Sequence, residues 1–202
     1  RVCIGVCRLL LPSSLLPPPC FPASQVPAHG VGARLEDRAG RAFDVYSTWI
    51  DYRAYIAYAL RDNPAIEDAE LLRCESEGSN RLAQANALLA HLEESGRFDG
   101  SVPLLVGGDW NCPSHLDWTD DTARAFRFKR PLELPVSRRM AAEGFIDTFR
   151  EVHPDPLRRP GFTWTPMTRG TVDAPMPLDR IDRLYRRPAT GGELRLVPVA
   201  AR

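Results

Sequence analysis

Residues 102–111 read Val-Pro-Leu-Leu-Val-Gly-Gly-Asp-Trp-Asn, and this decapeptide narrows the fold more than any other stretch of the chain. A short apolar run bounded by glycines is the pattern of a strand covered on both faces, which belongs in a sheet flanked by helices. Glycine lets the backbone turn sharply where such a strand leaves the core. Side chains alternate with period two along a strand, so Asp109 and Asn111 are expected at the strand end, pointing the same way. An acid and an amide presented together at a strand tip are candidates for chemistry. The alternative is a strand-end turn in which both side chains bond the backbone.

The surrounding sequence alternates strand and helix, which predicts an α/β fold. Residues 31–35 and 42–49 read as the strands of a hairpin, with Glu36-Asp37-Arg38-Ala39-Gly40 as its turn. Tyr52, Tyr55, Ile56 and Ala59 recur at helical spacing as a packing face rather than a stacking platform for bases, whereas residues 61–78 are polar and acidic and read as a loop or an irregular start to the next element. Residues 79–94 form the strongest helix, with Ser79 as N-cap, an apolar stripe through Leu82, Ala85, Leu88, Leu89 and Leu92, and Gly96 as its stop. A second, short helix is expected from Ser137 through Met140 to Glu143, ended by Gly144. Residues 161–165, 180–185 and 193–199 have the aromatic and β-branched content of strands.

At 202 residues and 44% hydrophobic, the chain is long enough for one sizeable core, expected over residues 31–202. Residues 1–30, proline-broken and leucine-rich, read as a disordered leader or linker, or as the remnant of a signal peptide, which leaves the compartment open, secretion included. That apolar run is too short to span a bilayer. Five cysteines without a CxxC pair argue against both a thiolate metal site and a disulfide framework. Cys112, beside Asn111 but with no paired base in evidence, reads as a packed small residue rather than a nucleophile. Net charge is zero, but residues 1–121 carry 10 basic and 17 acidic groups and residues 122–202 carry 16 and 9. The basic half either faces a phosphate-bearing substrate or is a solvated, arginine-rich surface.

Gly108-Asp109-Trp110-Asn111 resembles the Gly-Asp-x-Asn strand end of the endonuclease/exonuclease/phosphatase superfamily. Two further motifs stand in the family's order: Arg81-Leu-Ala-Gln84 is similar to its Arg-x-x-Gln signature, and Arg180-Ile181-Asp182-Arg183-Leu184-Tyr185 to its Arg-Ile-Asp-Tyr strand. The resemblance covers residues 31–199, the C-terminal portion of that domain. It implies an α/β sandwich of two sheets flanked by helices, of which this chain supplies mainly one sheet, and a Mg²⁺ (or Mn²⁺) dependent hydrolase of phosphodiesters or phosphomonoesters. Hydrolysing such an ester needs an activated water, neutralised phosphate charge and a stabilised leaving oxygen. By resemblance, Asp109 orients and deprotonates the water, Asn111 holds a phosphate oxygen or, with Asp109, the metal, and Asp182 orients a catalytic histidine. Read from its neighbours alone, Asp182 is equally suited to an ion pair with Arg180 or Arg183.

Substrate contacts are expected from Arg180, from Trp49, which stands where the family's Thr-His-Leu-Asp carries a phosphate-contacting histidine, and from His115, which is otherwise a polar loop residue. An indole offers one N–H donor and no ionisable proton. His29 and His153 read as incidental. The family's metal-binding glutamate and its terminal Ser-Asp-His are not matched in the sequence, so weak metal occupancy and impaired activity are expected. A non-catalytic fragment or pseudoenzyme that retains the scaffold is the alternative. The partner is a phosphate-ester substrate; nucleic acid is compatible with this reading but not indicated, because the basic excess lacks interleaved aromatic and lysine residues. A monomer is expected.

Overall fold

The computed structural model describes residues 24–26, 29–164, 176–191 and 194–201. Within them, β1 (Ser24–Val26), β2 (Gly30–Glu36) and β3 (Ala42–Trp49) run antiparallel in sequence. The β2–β3 turn is tied by the Asp37 carboxylate, which accepts from the backbone N–H groups of Ala39 and Arg41. The chain then passes through α1 (Ile56–Asp62), α2 (Asp68–Ser76) and α3 (Arg81–Glu94) and returns as β4 (Leu104–Asp109), parallel to β3. A parallel neighbour cannot be reached by a tight turn, so this helical crossover is what the pairing demands. After β4 come α4 (Asp120–Ala125), α5 (Pro135–Ala142), β5 (Ile146–Asp147), α6 (Thr148–Val152) and β6 (Asp182–Arg187). β6 pairs antiparallel with both β4 and β5, giving one mixed sheet in the order β1-β2-β3-β4-β6-β5. With its flanking helices this is the α/β fold expected.

Alternation along β3 and β4 splits the core between the two faces of the sheet. Tyr46, Leu104 and Val106 pack with Leu88, Leu89 and Leu92 of α3 and with Val136 and Met140 of α5. Each such leucine, taken fully out of water, contributes roughly 1.5–3 kcal/mol. Phe43 and Leu105 point the other way and meet Leu196. A third cluster joins α1 and α2 to Trp118, Leu132, Leu134 and Ile181. Trp110 is fully buried: its Nε1–H donates to the Arg183 carbonyl at 3.2 Å and its ring meets Tyr185 edge-on.

Several boundaries depart from the sequence reading. Residues 61–78 hold the helix α2, in which Leu71 and Glu75, one turn apart, are buried; tertiary packing stabilises a helix whose composition is that of a solvated loop. α3 begins at Arg81 after Asn80; the Ser79 hydroxyl, one residue earlier, donates to the Cys74 carbonyl at 2.8 Å and accepts from the Arg81 N–H at 3.5 Å. α5 begins at Pro135, where a missing N–H costs nothing, and Ser137 lies inside it. β4 ends at Asp109, and β6 begins later than expected, at Asp182. Of residues 161–165, the described part makes only the Trp164–Asp179 bridge, and residues 194–199 form no strand. Leu194 and Leu196 instead pack against one face of the sheet without joining its hydrogen-bond ladder; strand propensity is a fit to a sheet surface rather than a backbone preference. Most of residues 1–30, together with Thr165 and Glu193, falls outside the described residues.

Candidate active site

The register of the sheet builds the site. Asp109, the last residue of β4, pairs with Trp49 of β3 on one side and with Asp182 of β6 on the other. Directly paired residues project to the same face with Cβ atoms roughly 4.5–5.5 Å apart. Trp49, Asp109 and Asp182 therefore form a row across three strand tips. Gly108 permits the close approach: its φ is +152°, and a Cβ there would stand 1.9 Å from the Thr48 carbonyl oxygen. Beyond the row the β4 chain turns at Asn111, whose φ of +48° is a conformation asparagine tolerates better than most residues.

Burial raises the proton affinity of the Asp109 carboxyl above its ordinary range, and the charge of Asp182 pushes in the same direction. The Asn111 N–H, donating to Asp109 Oδ1 at 2.8 Å, and hydrogen bonding from the Trp49 indole act against that rise without cancelling it. Two neighbouring carboxylates repel one another, so the pair attracts a cation more strongly than either acid alone. The backbone N–H of Asp182 donates to Thr163 Oγ1 at 3.0 Å, which fixes the start of β6. Asn111 donates from Nδ2 to the Ile50 carbonyl at 2.8 Å, leaving Oδ1 and a second amide proton for other partners.

The structure thus brings Asp109, Asn111, Asp182 and Trp49 to one end of the sheet. Arg180 is not brought there. It is 2% exposed, and its guanidinium binds the Asp147 carboxylate at 2.7 and 3.1 Å and lies 2.8 Å from Asp117. Arg150 donates to the same Asp117 at 2.5 Å. Arg183, also buried, donates to the Cys112 carbonyl at 2.5 Å. The C-terminal excess of arginine is therefore spent partly on interior ion pairs and hydrogen bonds rather than on a phosphate-facing surface. His115 lies against α5: its backbone N–H donates to Ser137 Oγ at 2.9 Å and its Nδ1 lies 2.8 Å from the same hydroxyl. Burial, assisted by the charge of Arg138, lowers the proton affinity of that imidazole and favours its neutral form.

His29, read as incidental, lies at the site end of the sheet. Its carbonyl accepts from the Trp49 N–H at 3.1 Å and from Thr48 Oγ1 at 2.8 Å, and its ring contacts Gln84 Nε2. The long gap between His29 and the motifs hid this proximity; the hairpin register, which carries β2 back to Thr48, was the signal that could have revealed it. The Arg81-x-x-Gln84 pattern also has a physical account. Gln84 Oε1 accepts from the Asp51 N–H at 2.7 Å, while the fully buried Arg81 guanidinium donates to the carbonyls of Asp51, Arg53, Ala54 and Cys74. Those bonds hold the loop after Trp49, including Ala54 at φ +47°.

Mg²⁺ is ordinarily held by one or two carboxylates, with water completing an octahedron. The Asp109 and Asp182 carboxylates and the Asn111 amide oxygen are donors of that kind, and a dication relieves the repulsion between the two acids. Among the described residues no cluster of three or more His, Cys, Asp or Glu suited to a metal occurs. The arrangement suits a hydrated ion on two carboxylates rather than a closed protein cage. Among the same residues, no helix is long and apolar enough to cross a membrane.

No family model matches the chain. An uncharacterized Caenorhabditis elegans protein is 28% identical over 159 residues, which span 77% of this chain and 50% of that protein; the chain covers about half the length of this curated relative. Among solved structures, it is similar to an AP endonuclease from Archaeoglobus fulgidus, with a TM-score of 0.48 and 16% identity over 83% of this chain and 58% of the other. Humanized D. rerio TDP2 is similar with a TM-score of 0.45 and 12% identity, over 86% and 54% of the two chains. An endonuclease/exonuclease/phosphatase from Beutenbergia cavernae DSM 12333 is similar with a TM-score of 0.42 and 20% identity, over 79% and 32%.

Proposed function

We propose that this chain carries part of the catalytic centre of a divalent-metal-dependent hydrolase acting on phosphodiester or phosphomonoester bonds. The observation that carries the reading is the pairing of Asp109 with Asp182 at adjacent strand tips beside the Asn111 amide. The motif order noted in the sequence agrees with it.

Asp109 is suited to take a proton from the attacking water. A base works best when its proton affinity lies near the operating pH, and burial together with Asp182 moves this carboxyl upward from the usual aspartate range. The water oxygen bonds to phosphorus and its proton passes to Asp109; the ester P–O bond breaks, the leaving oxygen departs as an anion that takes a proton from solvent, and Asp109 returns its proton to solvent. Asn111, anchored to Ile50, presents its remaining amide atoms to a phosphate oxygen or to the cation. Mg²⁺ or Mn²⁺ held by Asp109, Asn111 Oδ1 and Asp182 would supply charge neutralisation at the phosphate and lower the pKa of bound water.

The test is Mg²⁺-dependent release of p-nitrophenol from bis-p-nitrophenyl phosphate by the whole chain and by Asp109→Asn. Slow, metal-dependent release that disappears in the variant supports the proposal. Release that persists in Asp109→Asn removes Asp109 from the catalytic centre, and its complete absence at high protein concentration favours a scaffold without catalysis.

A further inference from the structure

We propose that Arg183 is a positioning residue for the hydrolytic centre: it clasps the chain on the far side of Asn111 and so sets the Asn111 amide against Asp109 and Asp182. This deepens the hydrolase reading and rests on it. Arg183 follows Asp182 in β6 and pairs with Gly108, the residue before Asp109. It is 3% exposed, and its guanidinium lies over the rings of Trp110 and Tyr185, 5.8 Å from each centroid.

What this guanidinium holds is main chain. The neighbouring buried arginines each meet carboxylates, Arg150 at Asp117 and Arg180 at Asp117 and Asp147. Arg183 instead donates to the Cys112 carbonyl at 2.5 Å, with its second terminal nitrogen 3.3 Å from Cys112 Sγ. Taking a cation out of water for a carbonyl and a thiol is a costly way to stabilise a core. The gain is geometric, because a planar fork fixes direction as well as distance.

Two bonds run the opposite way across the same junction. The Trp110 backbone N–H donates to the Ile181 carbonyl at 3.0 Å, and its indole N–H donates to the Arg183 carbonyl at 3.2 Å. Residues 110 and 112 are thus both moored to β6, and Asn111 is strung between them at φ +48°. A left-handed backbone at a residue with a side chain persists only where its surroundings over-determine it. Here the moorings to β6 fix the backbone of Asn111, while the bond from Nδ2 to the Ile50 carbonyl fixes its side chain from the β3 side. Asp182 belongs to the strand that does the holding, so the clasp sets the amide relative to both acids. Misplacing a catalytic group by roughly 1 Å is enough to cost about 10²-fold in rate.

A double-mutant cycle between Arg183→Lys and Asn111→Ala tests the idea, because lysine keeps the charge and gives up the fork. It is read twice in the whole chain, as Mg²⁺-dependent p-nitrophenol release and as Mn²⁺ affinity by electron paramagnetic resonance. Arg183→Lys is expected to lower kcat with KM unchanged, and to weaken Mn²⁺ binding, each by about 10- to 100-fold, the range for groups that orient metal ligands. With Asn111→Ala already present it should add almost nothing, since its effect runs through Asn111; a loss of folded protein would multiply instead. Trp110→Phe removes the indole bond of the clasp without altering any charge. It should behave alike to a smaller degree, and it decides the matter if Arg183→Lys does not fold. Losses that multiply with those of Asn111→Ala, or no loss in either readout, would overturn the proposal. Non-additive loss of Mn²⁺ affinity without turnover keeps the clasp and removes the hydrolase. Asp109-dependent turnover with multiplying losses does the reverse, and a chain that neither binds Mn²⁺ nor turns over overturns both.

Discussion

Replacing Arg180 with methionine keeps much of the side chain's length and removes the cation shared by Asp117 and Asp147, both at most 5% exposed. Breaking a buried pair from one side ordinarily costs about 3–5 kcal/mol. Here each acid keeps other donors: Arg150 on Asp117, and the backbone N–H groups of Phe149 and Arg150 on Asp147. The cost therefore falls near the lower end, about 3 kcal/mol, a large share of the roughly 5–15 kcal/mol that holds a domain together. With a urea m-value of about 1–3 kcal/mol/M, the unfolding midpoint drops by roughly 1–3 M, read by tryptophan fluorescence. The pH dependence changes sign as well. In the native protein, burial alone would raise the Asp147 carboxyl, but the charge and hydrogen bonds of Arg180 hold it below the ordinary range. Its stabilising contribution is present above the unfolded value of about 3.9 and is lost as pH falls through the depressed folded value. Without Arg180, burial governs, the folded value rises above the unfolded one, and the penalty grows as pH rises; the variant's deficit should shrink between pH 7 and pH 5. An unchanged midpoint together with a raised KM would refute the reasoning and return Arg180 to the substrate.

Asp109→Asn should abolish turnover yet raise thermal stability at pH 7, because a carboxyl whose folded proton affinity exceeds its unfolded value destabilises the fold once ionised. Each 1 kcal/mol gained moves Tm by roughly 2–4 °C in a domain of this size, and the gain measured by calorimetry should fade toward pH 4; a lower Tm at neutral pH would contradict it. Cys112 is fully buried, with its thiol pushed up to about 12 chiefly by burial. In iodoacetamide labelling read peptide by peptide, Cys74 should therefore react before Cys112, which becomes reactive only on unfolding; early labelling of Cys112 would mean that the interior around Arg183 opens.

The sequence carried the local logic of the site and little of its surroundings. Glycine and acid after an apolar run are a local pattern, and it puts Asp109 at the end of β4; Asn111 lies two residues past the strand in a left-handed conformation that period-two alternation does not reach. The hairpin was equally legible, because its turn residues and strands adjoin. Arg180 was misplaced because nothing in a string of arginines distinguishes one facing Asp147 from one facing solvent; only the tertiary position of α6 decides it. Helix α2 escaped because its buried side is little more than Leu71 and Glu75, and an acid at a core position looks like surface. His29 escaped because its partner Gln84 lies on a distant helix.

The grip of Arg81 on four main-chain oxygens has a practical meaning for the segment that follows Trp49. Peptide groups are common to every amino acid, so a clasp addressed to them is indifferent to which side chain the neighbouring residue displays. Exchanging indole for imidazole at position 49 touches none of the carbonyls that Arg81 clasps at residues 51, 53 and 54, so the loop keeps its mooring while the strand tip changes its side chain.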